Sequence, residues 1–139
     1  TASVNEDLFN KSKDLTLKIL ASSSKKEIIK TVESSFSNDF KVNKCLLKFY
    51  KDKEIDQIES STELSLHKGA IYCGSFSSEK MNFLFNDKKI ESMVVSVIMS
   101  NNEIGLLKLG SYDRTKYLGD EDTTFIQYIR DILETKLAL

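Results

Sequence analysis

The feature that most restricts the fold is ESMVVSVIMS at 91–100, followed two residues later by EIGLLKLGS at 103–111. In the first stretch Met93, Val95, Val97 and Met99 alternate with Val94 and Ile98, so a strand over 92–99 is apolar on both faces. Both faces must then be covered by other parts of the chain. Between the two stretches lie Asn101 and Asn102, which tolerate the left-handed backbone of a tight turn, and the pair reads as an antiparallel hairpin.

The rest of the sequence supplies the covering layers. Leu8, Leu15 and Ile19, with Ser12 between them, follow the three-and-four spacing of one helical face, and residues 5–21 read as a helix. Ser24 and Glu27 have the form of a capping box, in which each side chain satisfies the other residue's free amide. Ile28, Ile29, Val32 and Phe36 follow, giving a second helix over about 25–37. KCLLKFYK is the first strand, with Cys45, Leu47 and Phe49 on one side. Residues 52–70 are charged and serine-rich and are expected to form a short strand and then a short helix. IYCGSFS at 71–77 reads as a strand bent at Gly74, and SEKMNFLF at 78–85 as a helical turn presenting Met81, Leu84 and Phe85. TTFIQYIRDILETKLAL is a terminal helix, with Asp120, Glu121 and Asp122 at the end where the helix dipole favours carboxylates. The order implies a single α+β domain over 1–139: a central antiparallel sheet with N- and C-terminal helices on one face and irregular loop and helix segments on the other.

Composition excludes several classes of function. A net charge of −1, with acids and bases interspersed, creates no long-range field for nucleic acid or an anionic membrane. The longest apolar run, 93–99, is far shorter than the roughly 20 residues of a bilayer span. Two cysteines are too few for a secreted disulfide scaffold, which favours the cytoplasm. The sequence opens on Thr1 and not on methionine, so an upstream helical segment is expected to precede it.

Two long stretches, NEDLFNKSKDLTLKILASSSKKEIIKTVESSFSNDFKV at 5–42 and GLLKLGSYDRTKYLGDEDTTFIQYIRDILETKL at 105–137, together with YCGSF and FLFN between them, resemble the bacterial GAF-like family known as domain of unknown function family 484. The matching motif positions are Cys73 and Gly74, Leu84 and Phe85, Gly110, Ser111 and Asp113, and Thr123 and Phe125. Lys108 and Asp122 depart from that pattern, in which small residues are usual. The resemblance implies a GAF fold usually preceded by a coiled-coil-like helix, and proximity to a tyrosine recombinase gene, which hints at a regulatory role. GAF domains bind cyclic nucleotides, metabolites or tetrapyrroles, or only dimerise, so the fold alone assigns no ligand.

Candidate ligand contacts are Cys73, Gly74, Phe76, Phe85, Lys108, Gly110, Ser111, Asp113 and Arg114. In GSYDR, Gly110 permits close backbone approach while Ser111, Asp113 and Arg114 offer polar groups; the competing reading is a turn in which Asp113 caps the backbone and pairs with Arg114. Lys108 shares a face with Leu106 and Gly110, where it either selects an anionic ligand or snorkels to the sheet edge. Cys73 resembles the cysteine of GAF-fold free methionine sulfoxide reductases, whose chemistry needs a resolving thiol. Cys45, on a core strand, is the sole other thiol, and catalysis is not expected. His67 is the sole histidine, and a metal site built from it and two separated cysteines is not expected. The terminal helices are apolar over more of their circumference than one sheet face needs, which makes Leu8, Leu15, Leu17, Ile129, Ile132 and Leu133 candidates for a homodimer interface. The expected function is a non-catalytic regulatory or sensory module without a cofactor, binding a small molecule or protein partner and dimerising. The alternatives are a purely structural dimerisation domain and, less favoured, a thiol-dependent methionine sulfoxide reductase.

Overall fold

The structure, a computed structural model, describes residues 2–117 and 120–139, with side chains over 6–117 and 124–139. Its elements run α1 (Ala2–Ala21), α2 (Lys25–Asn38), β1 (Lys44–Tyr50), α3 (Asp52–Thr62), β2 (Ile71–Gly74), α4 (Ser78–Phe85), β3 (Ser92–Met99), β4 (Ile104–Ser111) and α5 (Asp120–Ala138). The strands form one antiparallel sheet in the order β1-β4-β3-β2.

The two-sided strand is β3, and it is covered on both faces. Val94 and Ile98, with Cys45, Leu47, Leu107 and Leu109, face α2 and α5 and pack on Val32, Phe36, Ile129 and Leu133. Met93, Val95 and Val97, with Leu106, face Ile55, Leu64, Leu66, Met81, Leu84, Phe85 and Ile90 from the segment 55–90. Edge strand β1 is partly blunted by α2, whose Glu33 carboxylate accepts a hydrogen bond from the Leu47 amide at 3.0 Å. Helix α1 packs chiefly on α2 and α5, one layer further out. Lys136 of α5 donates to the Leu20 carbonyl at 2.9 Å and satisfies the end of α1.

Three local expectations are corrected. Residues 52–70 hold one helix, Asp52–Thr62, directly after β1, and not the expected strand followed by a helix: Ile55, Ile58 and Thr62 recur at helical spacing, and the Glu54 carboxylate accepts from the Lys51 amide at 3.2 Å. The Asn101-Asn102 turn closes with Ser100 N–H donating to the Glu103 carbonyl at 3.1 Å, but without left-handed backbone. Positive φ among the described non-glycine residues falls at Lys41, Glu63 and Asn86. The capping box is half formed: Ser24 Oγ accepts from the Glu27 amide at 3.1 Å, whereas the Glu27 carboxylate takes the Ser23 amide and hydroxyl. The side chains of Asp120, Glu121, Asp122 and Thr123 lie outside the described residues.

Candidate functional site

The expected ligand residues separate into a packing unit, a turn and a thiol on the opposite face. Phe85 is buried under α4 with its ring on Gly110; a Cβ there would lie 3.0 Å from Phe85 Cε1 and 2.6 Å from Ile90 Cδ1. Close approach at Gly110 therefore serves a core side chain. Phe76 is half-buried against the same core. Lys108 is 7% exposed, and its Nζ donates to the Leu84 carbonyl at 3.0 Å, near the C-terminus of α4, where a cation is favoured. It neither lines an open cleft nor reaches the sheet edge. Ser111 Oγ accepts from the Asp113 amide at 3.0 Å, and Asp113 Oδ1 accepts from the Thr115 amide and hydroxyl, which holds the Asp113 carboxyl below its usual range. Asp113 thus engages Thr115 and not Arg114, which is exposed.

Gly74 stands opposite Met93 with φ 127°, a conformation that a side chain would strain. Cys73 pairs with Val94, Val94 with Leu109 and Leu109 with Cys45, so the two thiols occupy opposite edges of one cross-strand row. Three strand spacings separate them by about 14 Å. A disulfide needs Cα atoms within about 7 Å, so Cys45 cannot resolve Cys73 within one protomer. Burial also pushes the Cys45 thiol pKa far up, away from the reactive thiolate.

A cluster not anticipated from the sequence lies at α3. His67 Nε2 is 2.7 Å from Asp56 Oδ1 and 3.6 Å from Glu59 Oε1. Asp56 and Glu59 are neighbours on one helical face, and the return of the chain through 63–67 brings His67 to them. The hydrogen bond to Asp56, followed by the charges of Glu59, Asp56 and Asp52, holds the imidazole pKa above its ordinary value.

The terminal helices carry a group of exposed apolar side chains. Leu15, Ile129 and Leu133, expected at an interface, are buried in the protomer's own core, because that stripe faces inward. Leu8 and Leu17 are exposed and Ile132 is half-buried. With them stand Phe9 at 67% exposure, Leu20 at 48% and Tyr128 at 50%. Leu8, Phe9, Thr16, Leu17 and Tyr128 line a groove of roughly 490 Å³, and Thr16 and Tyr128 continue into a second hollow with Leu20, Asp131 and Ile132.

Residues 1–138 match the family model described as "Protein of unknown function, DUF484". The chain belongs to the DUF484 family. No curated protein matches it. In this DUF484 chain the motif positions are explained by packing: Phe85 sits on Gly110, the Leu84 carbonyl receives Lys108, and Ser111 with Asp113 closes the turn after β4. Lys108 is accommodated because α4 presents a carbonyl to it. Among the described residues no helix is long and apolar enough to cross a membrane.

Proposed function

We propose that this DUF484 domain is a non-catalytic regulatory module of GAF-like type that acts by pairing with a second copy of itself through the α1–α5 face. The observation that carries the proposal is the continuous exposure of Leu8, Phe9, Leu17, Leu20 and Tyr128 along two helices that share one groove system. Scattered exposed apolar residues need no explanation, but a contiguous ridge of large ones does. The regulatory character rests on the family resemblance.

A two-fold axis near Thr16 and Tyr128 sets Leu17 of each copy close to the axis and runs Leu8 and Phe9 of one copy toward the Leu20 end of the other, the same patch serving both sides. Lys13 and Asp131, each lining one of the two hollows, then face one another across the axis as opposite charges. From residue 8 to 20 the ridge is about 18 Å long, which places the interface at the small end of specific contacts. Pairing is favoured over small-molecule sensing at the opposite sheet face, where Phe85, Ile90 and Leu66 fill the space against Met93 and Leu106.

Sedimentation velocity from low to high micromolar concentration tests this. The parent chain is expected to dimerise, and Leu17→Glu to remain monomeric with an unchanged circular dichroism spectrum, since Leu17 is 53% exposed. A parent chain that stays monomeric throughout refutes the proposal.

A further inference from the structure

We propose that Asp56, Glu59 and His67 form a binding site for one divalent transition-metal ion of the zinc, cobalt or nickel class. The three ligand atoms lie within 4.8 Å of one another, on side chains open to solvent at one side. Ligand atoms around such an ion, with bonds of about 2.1 Å, stand about 3.0–3.4 Å apart. The existing separations of 2.7 Å from His67 to Asp56 and 3.6 Å from His67 to Glu59 bracket that spacing, so rotation of the exposed Asp56 and His67 side chains about a fixed Glu59 brings the set onto an ion.

The site is also supported from behind. The Leu66 amide donates to Glu59 Oε2 at 2.5 Å, which fixes the carboxylate and leaves Oε1 directed at the imidazole. The Tyr72 hydroxyl donates to the Ser65 carbonyl at 2.8 Å, anchoring the segment that carries His67. Asp52 adds a further negative charge to the surroundings, which attracts a dication. One imidazole with two carboxylates suits zinc, cobalt and nickel, whereas magnesium and calcium take oxygen ligands. On binding, the proton that His67 Nε2 shares with Asp56 passes to solvent and the nitrogen lone pair forms the metal bond. Water completes the coordination shell. The bound ion ties the 63–70 connection to α3, beside the core that α3 covers.

The test is calorimetric titration of zinc chloride and cobalt chloride into the full chain, with the imidazole nitrogen resonances followed in parallel. Because the chain has one histidine, those signals belong to His67. One saturable site per chain is expected, with a shift of the Nε2 resonance and at least about tenfold weaker binding in Asp56→Asn and in His67→Ala. Cys73→Ser is expected to leave the titration unchanged. Absence of saturable binding up to millimolar metal, or equal affinity in His67→Ala, overturns the site. An Nε2 shift of the same size with magnesium chloride overturns the assignment of metal class.

Discussion

Lys108 sits mid-strand between Leu46 and Val95, under α4, with a single hydrogen bond described for an ammonium that has three donors. Burial, aided by the like charge of Lys48, lowers its pKa from 10.5 to about 8. A displacement of that size corresponds to about 3 kcal/mol between the two protonation states. The folded chain releases this proton at lower pH than the unfolded chain does, so above the folded value the unfolded state holds more protons and stability rises with pH. Between about pH 7 and about pH 9 the expected gain is roughly 1.3 kcal/mol, complete only near the unfolded value. Cys45 acts in the opposite direction: its folded pKa is raised above 9.0, so the unfolded thiol ionises first and stability falls as pH passes that value. Comparing the parent with Lys108→Met cancels the cysteine. The methionine keeps the apolar stem and removes the charge, at a cost of about 1 kcal/mol for the unpaired Leu84 carbonyl. Lys108→Met is therefore expected to be more stable than the parent by about 1–2 kcal/mol near neutral pH, an advantage that shrinks toward about pH 9. Urea denaturation across that range measures the difference. A parent-minus-variant difference that does not change with pH refutes the reasoning, as does a neutral-pH loss in the variant.

Gly110→Ala places a methyl against Ile90 and the Phe85 ring and should cost about 1–3 kcal/mol in urea melts; partial recovery in Gly110→Ala with Ile90→Ala would trace the loss to that clash. Ser96 is fully buried with a hydroxyl that has no hydrogen-bond partner among the described residues, so Ser96→Ala is expected to raise stability by about 1 kcal/mol, read from the thermal midpoint.

The hairpin and the covering of both its faces were legible because alternation along 92–99 leaves a strand no solvent face. The helices at either end were legible from their three-and-four spacing. Helix 52–62 was obscured because Ile55 and Ile58 are outnumbered by charged residues, and its stability comes from docking on Tyr50 and Leu66 and not from propensity. Periodicity tells which residues share a stripe but not which neighbour the stripe meets. Leu15, Ile129 and Leu133 therefore looked equivalent to Leu17 until the position of α1 over α2 and α5 separated inward from outward. His67, eight residues beyond Glu59, joins Asp56 only because α3 ends at Thr62 in a left-handed Glu63 and the chain turns back. Lys108 was placed on the correct face, but its partner, a main-chain carbonyl of α4, has no sequence signature.

The central claim is that this domain works through the outer face of its terminal helices. Hydrogen exchange compared at low and high micromolar concentration tests it most directly, because it locates any association along the chain. Slowed exchange confined to α1 and α5, around Thr16 and Tyr128, is the predicted result. Exchange that is independent of concentration, or protection that falls instead on residues 63–90, would contradict it.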